Sequence, residues 1–426
     1  MRLVGGRIID PSSGRNEIGD VVIDGGLIVD SARANGETSI DVSGFVVAPG
    51  FIDLHCHLRE PGFEDKETIA SGTRAAAAGG FTTVCAMADT QPSIDTGAEV
   101  ESVLTQAQRD AVVRVLPLGT TTKARQGQEL AEMADMAAAG AIGFSDDARP
   151  VRSARLMRHA LEYSLLVDRP IVSHAQDADL AEGGVMHEGA VATVLGLKGV
   201  PREAEEIAVA RDLALARLTG GRLHLAHLTT AGAVEQVRQA RASNVHVTAE
   251  VSPHHLLLTD SAIAGQGGNR AYDTNARTDP PLRTAADTQA LLAGLRDGTI
   301  DCVATDHAPQ RWIDKACEFE QAAPGIAGLE TAFGLLMRLV HAGALELSEL
   351  LGALSWRAAR AWGLPFGALT PGAAADVVVL DPDHAWVVDP ERFRSRGKNT
   401  PLAGQTLRGA VLLTLAAGRI VYRNGV

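Results

Sequence analysis

The sequence predicts an α/β protein: a (β/α)8 barrel of the TIM type carrying a small β-sandwich domain formed by both chain termini. Three observations lead there. Apolar strand-like runs alternate with helical segments through residues 50–365. Residues 1–49 and 366–426 are instead rich in short strands and turns at both ends of the chain. The histidines and many of the carboxylates fall where central strand runs end, which is where barrel enzymes place their chemistry.

In chain order, strands are expected at Arg2–Ile9, Gly19–Val29 and Ser39–Val47, with Asp24-Gly25-Gly26 as a hairpin turn because glycine accepts positive φ. The central strands are Phe51–Leu54, Thr82–Met87, Arg114–Leu118, Ala141–Phe144, Pro170–Ser173, Arg222–Ala226, Val245–Val251 and Cys302–Thr305. Apolar residues recur at helical spacing in Thr68–Ala78, Gly127–Ala139, Ser153–Tyr163, Arg202–Leu218 and Ala231–Ala242. Strands return at Ala375–Leu380, Trp386–Val388, Gly409–Leu415 and Arg419–Tyr422. The alternative, a doubly wound open sheet, lacks a Gly-x-Gly-x-x-Gly after the first strand. No short-period repeat stands out. Residues 1–49 and 366–426 therefore form the small domain, and 50–365 the barrel.

The 426 residues are ample for a large core. A net charge of −13 without a basic stripe argues against nucleic acid and anionic membrane surfaces as partners. The start, Met-Arg-Leu-Val-Gly-Gly-Arg, is not a signal peptide, and no apolar run reaches the ~18 residues of a membrane span. The expectation is a soluble, cytoplasmic protein. Cys56, Cys85, Cys302 and Cys317 form no Cys-x-x-Cys pair, and the first three read as buried thiols in strands of a reducing-compartment protein.

The chemistry starts at Val47-Ala-Pro-Gly-Phe-Ile-Asp-Leu-His-Cys-His-Leu-Arg-Glu-Pro-Gly62. Residues two apart on a strand share a face, so His55 and His57, with Arg59 beyond, leave the strand on one side and Cys56 on the other. Later strand runs open onto Asp146 and Asp147, onto His174, onto His224 and His227, onto His254 and His255, and onto Asp306. One such histidine is ordinarily a polar cap on a strand. A set of four histidines and two carboxylates has the composition of a two-metal hydrolytic site. Alternation turns His224 away from that site, and His307 diverges from its neighbour Asp306. The adjacent pair His254 and His255 reads as supporting rather than ligating. The charged stretch Arg311–Gln321 reads as a loop, either mobile over the site or plainly solvated.

At these residues the chain resembles the amidohydrolase superfamily and, within it, class I dihydroorotase. The resemblance spans essentially the whole chain. It is carried by Pro49–Gly62, Phe144-Ser-Asp-Asp147, Leu195-Gly-Leu-Lys-Gly-Val-Pro201, Ala304-Thr-Asp-His-Ala-Pro309, Gly328-Leu-Glu-Thr331 and Gly397-Lys-Asn-Thr-Pro-Leu402. It implies two zinc ions per subunit with a bridging hydroxide. His55, His57 and Asp306 would hold one ion and His174 and His227 the other, with Asp147 bridging. The choice of Asp147 over Asp146 follows the family's register. Hydantoinases and allantoinases, more distantly similar, bridge through a carboxylated lysine, and no lysine lies between Lys123 and Lys198. The implied reaction interconverts N-carbamoyl-L-aspartate and L-dihydroorotate in pyrimidine synthesis. Asp306 would be its catalytic proton carrier.

The implied substrate contacts are Arg59, Asp89, Asp279 and Gln310, and three of them depart from the family pattern. Its Met-Pro-Asn-Thr reads Met87-Ala-Asp-Thr90, its Asn-Pro-Pro-Leu-Arg reads Asp279-Pro-Pro-Leu-Arg283, and its Asp-His-Ala-Pro-His ends in Gln310. Asn to Asp keeps the shape but exchanges two donors for an anion. The motif Met-Asn-Glu-Gly likewise reads Met186-His-Glu-Gly189. Three readings follow: a zinc dihydroorotase acting on a small molecule, as a homodimer; another cyclic amide hydrolase, hydantoinase- or allantoinase-like; or a non-catalytic dihydroorotase-like subunit associated with aspartate transcarbamoylase.

Overall fold

A computed structural model describes residues 1–30, 38–265 and 270–426. The N-terminal strands are β1 (Arg2–Asp10), β2 (Arg15–Asp24), β3 (Leu27–Val29), β4 (Ser39–Asp41) and β5 (Val46–Pro49). The central ones are β6 (Phe51–Cys56), β7 (Phe81–Ala86), β8 (Arg114–Pro117), β9 (Phe144–Ser145), β10 (Ile171–Ser173), β11 (Met186–His187), β12 (Gly199–Val200), β13 (Leu223–Leu225), β14 (Val247–Val251) and β15 (Cys302–Val303). The chain finishes with β16 (Val377–Val387), β17 (Thr406–Ala416) and β18 (Arg419–Arg423).

Both termini build one eight-stranded sheet in the order β18-β17-β16-β5-β1-β2-β3, with β4 also on β1. Its seam is β5, which pairs parallel with β1 and antiparallel with β16. All four β5 residues are buried, so this short apolar strand has a neighbour on each side. The turn joining β2 to β3 runs through Gly25 (φ 56°) and Gly26 (φ 79°), the left-handed backbone that the glycines permit.

Of the central strands, β11 and β12 pair separately, while the other eight form two parallel sheets, β6-β7-β8 and β15-β14-β13-β10-β9. Parallel bridges join them at both edges, Gly119 to Phe144 on one side and Cys56 to His307 on the other. Every residue of β6 and β7 is buried, as expected of parallel strands covered on both faces. Helices lie between successive strands and start where the sequence supplies caps: Thr68 before Ile69–Ala78, Ser153 before Ala154–Val167 and Thr230 before Ala231–Ala242. No helix among the described residues is long and apolar enough to cross a membrane.

One expectation needs correction. The helix expected over Gly127–Ala139 begins only at Met133. Gly127 has φ 66°, and Leu130 forms a bridge with Thr122, so residues 127–132 are drawn into a loop. The charged stretch Arg311–Gln321 is mostly solvent-exposed, as a solvated loop would be, with Lys315 and Phe319 buried. It contains a helical turn, Trp312–Lys315; Arg311 pairs with Asp314 and Asp65, and the buried Lys315 donates to the Thr274 carbonyl at 3.0 Å.

Candidate metal centre

His55 is the last but one residue of β6 and His57 lies one past its end; Asp147 lies two residues past β9, His174 one past β10, His227 two past β13, and Asp306 three past β15. Six side chains from five strands thus meet at the carboxyl ends of the parallel sheets. The centre is Asp147. One carboxylate oxygen, Oδ1, lies 3.6 Å from His55 Nε2 and 3.5 Å from both His174 Nδ1 and His227 Nε2; Oδ2 lies 3.5 Å from His57 Nε2. Asp306 Oδ1 is 3.6 Å from His57 Nε2 and 3.8 Å from His55 Nε2. Two triads have their ligand atoms close enough to hold one ion each: His55, His57 and Asp147, and Asp147, His174 and His227.

The fit to a cation rests on what these atoms lack. His55 Nε2 and Asp147 Oδ1 are buried without a hydrogen-bond partner, a costly state unless a ligand takes the lone pairs. His174 Nδ1 and His227 Nε2 face each other at 3.0 Å. Burial opposes charge on His55, but the Asp147 and Glu250 carboxylates push its imidazole well above the usual range. Burial likewise opposes charge on Asp147, yet the surrounding imidazoles hold its carboxyl well below the ordinary value. The group favours an added positive charge. Neutral imidazole and carboxylate donors suit zinc and similar ions.

A second layer aims the ligands. Glu250, on β14, accepts from His55 Nδ1 at 2.8 Å, leaving Nε2 free to face the centre. Its other oxygen meets His224 Nε2 at 3.1 Å, and His224 Nδ1 meets Thr248 Oγ1 at 2.8 Å. His224 does not reach the group itself; it supports the carboxylate that does. Arg125 donates to the Asp147 carbonyl at 2.6 Å. Neither Glu250 nor Arg125 was singled out from the sequence. A glutamate inside a buried strand run was the available signal for Glu250. At the site the backbone is left-handed at the non-glycine residues Arg59 (φ 62°), Arg125 (φ 55°), His227 (φ 32°) and Asp306 (φ 49°), a conformation retained where surroundings force it.

The remaining expected residues fall as follows. Asp146 turns away, accepting from the Thr121 and Thr122 amides and the Thr122 hydroxyl, so the two adjacent carboxylates part company. Arg59 and Asp89 are buried beside His57 and bonded to each other. Asp279 accepts from Gln176 Nε2 at 3.3 Å, and Gln310 is tied to Lys66, Asn399 and the Pro324 carbonyl. His254 Nε2 lies 3.6 Å from Asp306 Oδ2 and is otherwise unpartnered. His255 is bound by Ser252 and the Pro280 carbonyl, and His307 by Glu67 and the Gly328 amide. Cys56 points to the Cys85 carbonyl, opposite the histidines, and burial pushes its thiol pKa well up.

Residues 44–233 match the family model described as dihydro-orotase-like. A dihydroorotase from Anaeromyxobacter sp. strain K is 50% identical over 425 residues, 99% of this chain and 97% of that protein. The chain belongs to the dihydroorotase family. Another dihydroorotase, from Pelotomaculum thermopropionicum, is 48% identical over 99% of this chain and 98% of its own length. Among solved structures, an L-hydantoinase from Arthrobacter aurescens superposes with a TM-score of 0.88 at 24% identity, covering 100% of this chain and 96% of that one. A dihydropyrimidinase from Brevibacillus agri NCHU1002 gives 0.82 at 22% identity, over 99% of this chain and 95% of that one. At such identities these structures speak for a shared α/β architecture, while the family assignment stands on the dihydroorotases.

Proposed function

We propose that the chain is a dihydroorotase of class I within the amidohydrolase superfamily, interconverting L-dihydroorotate and N-carbamoyl-L-aspartate by hydrolysis or closure of a cyclic amide. The observation that carries this reading is the buried Asp147 carboxylate among four imidazoles, in a chain half-identical to dihydroorotases from end to end. The architecture we infer is a (β/α)8 barrel over 50–365 with a sandwich from 1–49 and 366–426. Supporting the barrel are the bridges at both sheet edges. Supporting the sandwich, Leu3, Ile8 and Val21 share one apolar cluster with Val377, Val379 and Leu413.

Two zinc ions are the proposed cofactor, one held by His55, His57 and Asp306, the other by His174 and His227, with Asp147 shared. When bound, the pair would polarise the amide carbonyl and make a water nucleophilic at neutral pH. The chain's own residues do the rest. Arg59 holds the substrate's acid arm, its buried Nε still without a partner. Asp306, at the edge of the group, accepts a proton from the attacking water and passes it to the leaving ring nitrogen. His254, beside the second Asp306 oxygen, keeps that carboxylate turned toward the group.

One observation favours a second reading, a hydrolase of neutral cyclic amides: Arg59 already has a carboxylate partner in Asp89. The test is a substrate panel on zinc-loaded protein, with dihydroorotate, N-carbamoyl-L-aspartate, hydantoin, dihydrouracil and allantoin. Turnover confined to the first two supports the proposal. Turnover confined to the neutral rings overturns it in favour of the second reading.

A further inference from the structure

Asp89 stands between the two halves of the site. Its Oδ1 lies 2.8 Å from His57 Nδ1, and its Oδ2 accepts from Arg59 Nη1 at 2.5 Å. All three side chains are at least nine-tenths buried. The two loops that carry them are fastened together. The Gln91 amide donates to the Pro61 carbonyl at 3.0 Å, and Gly62, at φ 95°, packs so closely on Gln91 that a Cβ would collide with its carbonyl oxygen. Arg59 is itself fixed in a left-handed conformation, its carbonyl accepting from the Phe63 amide at 3.0 Å. Neither loop can shift without dragging the other.

We propose that Asp89 is a positioning and specificity-determining residue that clamps His57 and Arg59 at once, orienting the first toward the metal and offsetting the charge that the second offers to the substrate. The proposal rests on the dihydroorotase reading of the site and extends it. Through Oδ1, Asp89 does for His57 what Glu250 does for His55: it accepts at Nδ1 so that Nε2 faces Asp147 and Asp306. Through Oδ2 it neutralises a guanidinium that would otherwise meet an incoming carboxylate with a full uncompensated charge. An arriving acid arm therefore finds an arginine already paired and must compete with a carboxylate in place. Discrimination between acidic and neutral rings is weaker than an uncharged residue of the same shape would give.

Two substitutions separate the two halves of the clamp. Asp89→Asn keeps an oxygen for His57 and removes the anion from Arg59; Asp89→Ala removes both, with Asp89→Ser as a second truncation should the alanine variant fold poorly. Zinc affinity is read by chelator competition without substrate. It should fall about 10–100-fold in Asp89→Ala or Asp89→Ser and only a few-fold in Asp89→Asn, less than for a carboxylate such as Glu250 without a guanidinium partner, because Arg59 already offsets the Asp89 charge. The KM for dihydroorotate should fall about 3–10-fold in Asp89→Asn while the inhibition constant of dihydrouracil, added as a neutral competitor, stays put, since only the former carries the acid arm. A merely structural role would lower thermal stability and kcat in every variant without that split.

The clamp on His57 is refuted if folded Asp89→Ala binds zinc as tightly as the unsubstituted protein. The charge-offset role is refuted if Asp89→Asn leaves the ratio of the dihydroorotate KM to the dihydrouracil inhibition constant unchanged. Absence of turnover of either ring by the unsubstituted protein would count against the enzyme reading instead. In that case the zinc measurement still decides the first half, and calorimetric binding of N-carbamoyl-L-aspartate decides the second.

Discussion

Replacing Glu250 by glutamine probes the layer behind the metal centre without changing its shape. The glutamate is 1% exposed and bridges two rings, His55 Nδ1 at 2.8 Å and His224 Nε2 at 3.1 Å, and those contacts hold its carboxyl down at about 2 against the cost of burial. A glutamine oxygen can still accept from His55, so the ring stays aimed. Its amide nitrogen must then face His224, which has to present a lone pair there and donate instead to Thr248. What is lost is the negative charge that makes His55 a stronger donor. Loss of such an outer carboxylate costs roughly 10–100-fold in metal affinity, about 1.4–2.7 kcal/mol. Truncation to alanine leaves two buried imidazoles short of a partner and costs about 3–5 kcal/mol of stability, the penalty for breaking a buried charged network. The assay is chelator competition for zinc, with thermal melting of the metal-free protein alongside. Zinc affinity in Glu250→Gln equal to that of the parent would refute the assignment of Glu250 as the residue that tunes His55.

Three further outcomes are expected. Arg59→Lys keeps the charge but loses the planar fork, so KM for dihydroorotate should rise by about 10–100-fold, one charge-assisted hydrogen bond, with zinc content unchanged; equal loss of zinc would mean Arg59 acts on the metal group instead. In the metal-free chain, burial works against charge on His55, His57 and His174, but nearby carboxylates raise all three, so protons compete with metal. Apparent zinc affinity should then fall about tenfold or more per pH unit on going from pH 8 to 6, and a flat profile in chelator titrations would contradict this. Burial lowers the Lys315 pKa to about 7 from 10.5. Between those values the unfolded chain binds the extra proton, so stability rises with pH across that window and the full cost of burial persists below it. Lys315→Met should abolish this rise; identical melting profiles from pH 7 to 10 would exclude the effect.

Much of this site was legible because strands have a period of two. His55 and His57 share a face, Cys56 takes the other, and apolar runs ending in His174, His227 and Asp306 mark strand ends before any coordinates are seen. Periodicity could not separate Asp146 from Asp147, since both lie beyond the strand, and the Thr121 and Thr122 amides that capture Asp146 belong to another loop. Glu250 was hidden for a different reason: its value comes from two histidines on β6 and β13, a juxtaposition that only pairing creates. Asp89 was read as a substrate contact from the resemblance, whereas its bond to His57 comes from a loop some thirty residues away and is visible only in the fold. The left-handed backbone at Arg59, His227 and Asp306 leaves no mark in residue type, as none is glycine. The helix starting at Met133 was overestimated because the loop before it is apolar enough to extend the pattern.

The central claim is a metal-dependent dihydroorotase centred on Asp147, and zinc titration into chelator-stripped protein, followed by dihydroorotate turnover, tests it most directly. Activity should be absent without metal, return in the parent as two zinc ions bind per chain, and fail to return in Asp147→Asn at any zinc level. A fully zinc-loaded parent that turns over neither dihydroorotate nor N-carbamoyl-L-aspartate, or an Asp147→Asn variant as active as the parent, would contradict it.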